Sequence, residues 1–243
     1  MKCVCIGHNT GLGDHIFMSG AVRYIAKEYD RTFILCLRKK LRHVEFLYRD
    51  DPTIVPKVMP GSRRCDQRHK SANTVYNKLK KKFDLEKVYG FQYNSARWRH
   101  WHKKKASFIN MQYDAIGVPR EERFNSFYIE RDGEAEDALS KEVVPPWDYA
   151  FVCNKWSKGS INAYNLDIDL PLAVPCQKTN LIFDWMGVIE KAKEIYTVDT
   201  SFFHLIKSMK LPQKKFYVNS RRSIAIGEDY LNGEFDNNWE MIR

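Results

Sequence analysis

Apolar residues in this chain fall in short unbroken runs, and stretches of helical spacing separate them. Residues 2–7 (Lys-Cys-Val-Cys-Ile-Gly) read as a buried strand and residues 16–29 as a helix, with Ile16, Ala21, Ile25 and Ala26 among its apolar positions. Residues 32–37 form a second buried strand. A short helix over 43–48 follows and is stopped by Asp50-Asp51-Pro52. The pattern then predicts a strand over 54–58, a helix over 72–82, a strand over 85–91, and a helix over 107–116 ended by Gly117-Val118-Pro119. A polar stretch, 131–141, leads to Val143-Val144-Pro145-Pro146. Beyond it the pattern predicts strands at 149–153 and 170–174, a helix at 180–192, a strand at 194–198, a helix at 202–209 and a last strand at 215–218. The chain after residue 218 reads as irregular.

Strands that alternate with helices predict an α/β protein with mainly parallel sheets. The spacing divides it into two Rossmann-like domains, residues 1–142 and 143–243, joined near Val143. The second is reduced, with no helix between its first two strands. Open parallel sheets take ligands outside the carboxyl ends of their strands. Three loops sit at such ends: 11–14, 154–158 and 199–201. All three are expected to face one crevice between the domains.

Charge changes this picture locally. Of a formal net charge of +10, residues 63–105 hold 14 lysines and arginines against three acids, so the basicity belongs to one segment. A solvated helical face and a surface for an anionic partner both fit it. Within it, the aromatic and basic run 97–105 suits single-stranded nucleic acid, a sugar platform or a peripheral membrane contact equally well. No helix-turn-helix, RNA-recognition motif or zinc finger favours nucleic acid. No run of about 18 apolar residues predicts a membrane span. Lys2 leads directly into a strand with no signal-peptide pattern. The cysteines at 3, 5, 36, 65, 153 and 176 form no Cys-x-x-Cys pair, which predicts reduced thiols, no zinc site and a cytoplasmic location.

The loop after the first strand, Gly7-His8-Asn9-Thr10-Gly11-Leu12-Gly13-Asp14, does not fit the dinucleotide fingerprint G-x-G-x-x-G. It presents a carboxylate. Asp14 can serve as a general base toward an acceptor hydroxyl, or it can cap the following helix. Asp199-Thr200-Ser201 ends a strand and opens a helix. It fits an anion site with His204 alongside, and it fits simple capping with His204 packed on its helix. Lys155 and Lys158 follow another strand and suit either a diphosphate or solvent. Trp156 between them suits base stacking or shielding of the loop. Asp167-Ile168-Asp169 has metal-nucleotide spacing but precedes a strand, so no metal site is expected. Neither a P-loop nor a nucleophile elbow occurs.

Together these segments resemble one family. Gly11-Leu12-Gly13-Asp14 with Met18-Ser19-Gly20-Ala21-Val22-Arg23-Tyr24 resembles the opening of glycosyltransferase family nine, the bacterial heptosyltransferases. Asp51-Pro52-Thr53-Ile54-Val55 resembles a later segment of that family. So do Phe83-Asp84-Leu85 and Gly90-Phe91-Gln92-Tyr93-Asn94-Ser95. Thr197-Val198-Asp199-Thr200-Ser201-Phe202-Phe203-His204-Leu205 is similar to the family's donor-site motif. The resemblance implies a GT-B fold and inverting, metal-independent transfer of a sugar from a nucleotide-diphosphate sugar to a hydroxyl of a glycan or glycolipid. No other cofactor is implied. By this resemblance Asp14 is the catalytic base. Lys155, Lys158, Asp199, Thr200, Ser201 and His204 line the donor site, and Gly11, Gly13, Gln92 and Asn94 lie on the acceptor side. The chain is compact for that family, and Ser201 stands where the motif has glycine. The alternative is a non-catalytic nucleotide- or nucleic-acid-binding α/β protein that uses the basic segment 63–105.

Overall fold

The computed structural model describes residues 1–7, 11–60, 65–89, 108–156, 159–176, 178–218 and 238–242, with the side chains of 65–70 and 108 outside the description. Two compact units result. The first takes the described residues up to Glu130 and the second those from Arg131 onward.

In the first unit, strands β1 (Cys3–Ile6), β2 (Arg31–Leu37), β3 (Ile54–Met59) and β4 (Leu85–Tyr89) form a parallel sheet in the order β3-β2-β1-β4. Helix α1 (Leu12–Ala26) joins β1 to β2, α2 (Leu41–Leu47) joins β2 to β3, and α3 (Cys65–Lys82) crosses back from β3 to β4. Right-handed crossovers put α1 and α2 on one face and α3 on the other. Cys3, Cys5, Phe33 and Leu35 accordingly pack with Ala72, Val75 and Leu79 of α3. The basic helix therefore uses its sparse apolar stripe to cover a sheet, and α3 begins well before the stretch predicted from sequence.

Helix α1 is buried nearly all round, from Leu12 through Ala26. The sheet covers one side, and α4 (Phe108–Ile116) and α5 (Glu122–Asn125) pack on it as well. The Tyr113 hydroxyl of α4 donates to the Phe17 carbonyl at 2.7 Å. Gly20 is a point of close approach to α5. A Cβ there would overlap the Glu122 carbonyl oxygen and lie 2.9 Å from Arg123 Cα. In the last turn, Arg23 grips Asp50 with two hydrogen bonds, 2.7 and 2.8 Å, and donates to the Leu47 carbonyl, tying α1 to the end of α2.

In the second unit, β5 (Ala150–Cys153), β8 (Leu172–Ala173), β9 (Glu194–Thr197), β10 (Lys214–Val218) and β11 (Trp239–Ile242) form a parallel sheet in the order β11-β10-β9-β5-β8. Among the described residues the connection from β5 to β8 contains no α-helix, as the sequence predicts. It is a small antiparallel hairpin, β6 (Lys155–Trp156) with β7 (Gly159–Ser160), then a 3-10 turn at Ala163–Asn165 and extended chain. This segment still covers a sheet face. Trp156, Ile161, Leu166, Ile168 and Leu170 pack against Ala150, Val152, Tyr196 and Val198. The opposite face carries a 3-10 turn (Ile182–Trp185) continued by α7 (Met186–Lys191), and α8 (Ser201–Met209). There Phe151 meets Trp185 and Phe202, and Phe203 meets Tyr217 and Trp239.

Two further elements differ from the sequence reading. The polar stretch 131–141 is largely a helix, α6 (Gly133–Val143). The Asp132 carboxylate caps it by accepting from Ala135 N at 3.1 Å. Its side chain Glu136 is buried because Arg131 pairs with it while also holding Glu190. An ion pair thus shares the docking with the single buried apolar residue Leu139, and the polar sequence concealed a packed helix. This helix lies against α7, so the second unit begins at Arg131, ahead of the junction read near Val143. Part of the stretch read as irregular is β11, whose Trp239 sits opposite Lys215 in the register with β10.

The glycine contacts separate two substitutions. Gly20→Ala meets backbone atoms that cannot yield and should lower unfolding free energy by about 2–3 kcal/mol in urea titrations. Gly133→Ala enters open space at a helix start and should be neutral or stabilising by up to about 1 kcal/mol.

Candidate active site

In each sheet the strand order reverses direction at one place, and open parallel sheets take ligands at the carboxyl ends of the two strands flanking such a place. In the first unit this position lies between β1 and β4, where Gly7 N donates to the Tyr89 carbonyl at 2.7 Å. In the second it lies between β5 and β9, where Val198 N donates to the Cys153 carbonyl at 3.1 Å.

At the first position the chain enters α1 with Gly11 as its N-cap. Asp14 occupies the third helical position. Its Oδ2 accepts the Gly11 N–H at 2.9 Å, so the carboxylate satisfies one of the orphan amides at the helix start. Asp14 and Gly13 are half-buried and Gly11 is exposed. The capping role weighed for Asp14 is therefore present, from inside the first turn rather than from the N-cap. Gln92 and Asn94, expected on the acceptor side, lie outside the described residues, as does the run 97–105.

Beside this crevice the end of β2 carries a cationic cluster that the sequence reading did not single out. A 3-10 turn at Arg38–Lys40 and the first turn of α2 carry the basic residues here, with Lys39 near Lys40 and both Lys40 and Arg42 near His43. Burial, with Lys39 alongside, lowers the Lys40 pKa. Burial first, then Lys40 and Arg42, lowers that of His43 from 6.5 to about 4.

At the second position Thr200 is the N-cap of α8, with Oγ1 accepting from Phe202 N at 3.2 Å. The same hydroxyl lies 3.5 Å from Cys153 Sγ at the end of β5, so the two strands flanking the crevice are joined by side chains as well as backbone. Burial raises the Cys153 thiol pKa, which keeps it protonated and able to donate. Asp199 and His204 stand across the first turn, His204 Nε2 lying 3.9 Å from Asp199 Oδ1. Ser201 is half-buried at the first helical position. Asp199, Thr200, Ser201 and His204 are thus one local constellation at the positive end of a helix. It could hold an anion by that end and by its hydroxyls.

Lys155 is exposed on β6, in the hairpin that leaves the end of β5. Its carbonyl is 3.9 Å from Cys153 Sγ, the same thiol that meets Thr200. Lys158 lies outside the described residues. Trp156 belongs to the shielding role. It packs on the sheet, and its ring lies so close to Gly159 that a Cβ there would come within 2.7 Å. Cys153 and the hairpin itself were not legible in sequence; their contacts join residues distant along the chain or depend on a two-residue ladder. Among the described residues, no three His, Cys, Asp or Glu side chains group as metal ligands do.

No protein-family model matches the chain, and no curated protein matches it in sequence. Solved structures do resemble it. The glycosyl transferase family 9 protein of Veillonella parvula is similar with a TM-score of 0.60 at 11% identity, over 99% of this chain and 86% of that one. The ADP-heptose LPS heptosyltransferase II of E. coli is similar with a TM-score of 0.51 at 10% identity, over 100% of this chain and 90% of that one. The chain therefore has the fold of these glycosyltransferases.

Two measurements check the local geometry. Thr200→Ala removes the cap of α8 and should cost about 1 kcal/mol in denaturant unfolding of the second unit. For His43 the unfolded chain takes a proton near pH 6.5 that the folded chain refuses until about pH 4, so stability falls as pH drops through that window. His43→Gln should gain on the parent chain across the same window. A difference between the two that does not vary with pH would exclude this linkage.

Proposed function

We propose that the protein is an inverting, metal-independent glycosyltransferase that moves a sugar from a nucleotide-diphosphate sugar to an acceptor hydroxyl of a glycan or glycolipid. The observation that carries this reading is complementary chemistry at two crevices of one glycosyltransferase fold. A carboxylate, Asp14, stands at the first, and a helix N-terminus with Thr200, Ser201, His204 and nearby Lys155 stands at the second.

The chemistry follows from those groups. Asp14 accepts the proton of the acceptor hydroxyl as that oxygen attacks the anomeric carbon. The bond from the anomeric carbon to the diphosphate oxygen breaks on the opposite side, which inverts the configuration. Negative charge grows on the departing phosphate, where the α8 N-terminus and Lys155 stabilise it. This cationic help takes the place that a metal bridge fills in other transferases, and no Asp-x-Asp pair stands in the loops of the proposed donor site. A carboxylate has about four lone-pair sites, so the bond from Gly11 N–H is compatible with a base role. The reaction requires both sheet ends to meet around one pair of substrates, as the two-domain cleft read from sequence would allow.

The heptosyltransferase among the similar structures is named for ADP-heptose, so adenine nucleotides come first in any donor panel. Ser201 in place of the motif's glycine keeps heptose from being assumed. A second reading, a nucleotide-binding protein without transfer activity, is favoured by one observation: Asp14 already has a structural partner in Gly11. For the location, no helix among the described residues is long and apolar enough to cross a membrane. A peripheral membrane contact through 97–105 stays part of the proposal.

One variant separates the readings. A panel of ADP-, UDP-, GDP- and CMP-sugars, followed by mass spectrometry, finds the donor. Asp14→Ala should then lose transfer by about 100-fold or more, the usual contribution of a general base. Stabilisation by the free nucleotide in a thermal-shift assay should persist in that variant. Unchanged turnover would remove Asp14 from the chemistry.

A further inference from the structure

The three carboxyl-end loops are not built alike. After β1 and β9 the chain passes into a helix, and the functional groups sit on its first turn. After β5 there is no helix to hold Lys155. It stands on a hairpin with two paired positions, Lys155 opposite Ser160 and Trp156 opposite Gly159. Two such pairs alone do not form a stable structure in water.

Two anchors hold this hairpin. The first is Asn154. Its side-chain Nδ2 donates to the Ile161 carbonyl at 2.7 Å, and its own carbonyl accepts from Ile161 N at 3.0 Å. These two bonds close the hairpin at its base, one residue before the lysine. The second is Trp156, whose ring lies over Gly159 and against the sheet cluster. Side chains alternate along a strand, so fixing Trp156 on the packed side puts Lys155 on the other. The Lys155 carbonyl meets the Cys153 thiol, which meets Thr200. A chain of contacts thus runs from the hairpin base to the start of α8.

We infer that Asn154 is a positioning residue for Lys155: by closing the hairpin base it holds the lysine beside the α8 N-terminus, where it can meet a nucleotide diphosphate. The inference rests on the donor-site reading above. Gly159 serves the same end, since any larger residue would drive the Trp156 ring off its seat. Neither residue needs to touch the ligand, and both act through the ammonium group that they place.

A double-mutant cycle with free nucleoside diphosphates (ADP, UDP, GDP and CDP) tests this by calorimetry in low and high salt. Lys155→Ala and Asn154→Ala should each weaken binding about three- to tenfold, as loss of one hydrogen bond or one partly screened charge does. The double variant should be no weaker than Lys155→Ala, because Asn154 has nothing left to position. Both single variants should show the same reduced salt dependence, and Gly159→Ala should reproduce Asn154→Ala by an independent route. A merely structural role would instead give additive losses and leave the salt dependence of Asn154→Ala at its parent value, which would overturn the inference. Parent affinity in Asn154→Ala, with Lys155→Ala impaired, would overturn the positioning role alone. If the parent chain binds none of the four nucleotides, the donor reading falls and the inference falls with it. Melting curves and protection of the Ile161 amide from hydrogen exchange check that Asn154→Ala opens the hairpin without unfolding the unit.

Discussion

Each unit is organised around one short strand that is buried completely and paired in parallel on both sides, Cys3–Ile6 in the first and Ala150–Cys153 in the second. Parallel pairing obliges every connection to cross a face of the sheet, and handedness assigns the face. In the second unit the connections that leave β5 and β9 cross opposite faces, and in the first the helices that follow β1 and precede β4 do so. The strand order reverses at these ends. Both candidate sites lie at such ends. Their location follows from backbone hydrogen bonding and chirality before any catalytic side chain is considered.

What occupies those ends shows how structural and chemical roles share the same atoms. Asp14 caps the helix that carries it, through Gly11. Thr200 caps α8 and meets Cys153. A helix start leaves amides that need acceptors, and an anionic ligand is an acceptor too. The same shortage of partners that favours capping therefore favours ligand binding. The hairpin after β5 solves a different problem. It brings a cation to the end of a strand without a helix, and it relies on an asparagine and a glycine to do so.

Close approach sets a second kind of constraint. Gly20 admits α5 against α1, and Gly159 admits the Trp156 ring. Neither requirement is visible as a periodic pattern, because it is a property of the facing surface. The small-residue turn at Ser19-Gly20-Ala21, noticed in the sequence as part of a family resemblance, has its physical reason in this packing.

Much of the fold was legible because its determinants are local. Apolar runs such as Thr32–Leu37 and the helical spacing from Ile16 on mark buried strands and a helix over a few residues. The carboxylate and hydroxyls near strand ends, Asp14 and Asp199 to Ser201, could likewise be read from position, and the structure keeps the latter in one turn with His204. Helix α6 escaped because its buried positions are mostly polar, Glu136 held by Arg131 and Ser140 beside a single apolar residue, Leu139. Strand β11 escaped because a few residues of mixed polarity become a strand only when an existing edge, β10, offers them partners. The hairpin escaped because Asn154 and Ile161 meet only across a turn. Order along the chain was determined by the sequence, since hydrophobic burial and backbone conformational preference act within a few residues. Which polar groups meet, and which face each element covers, was decided by the tertiary structure, since a hydrogen bond or an ion pair has no partner until the sheet has brought distant residues together.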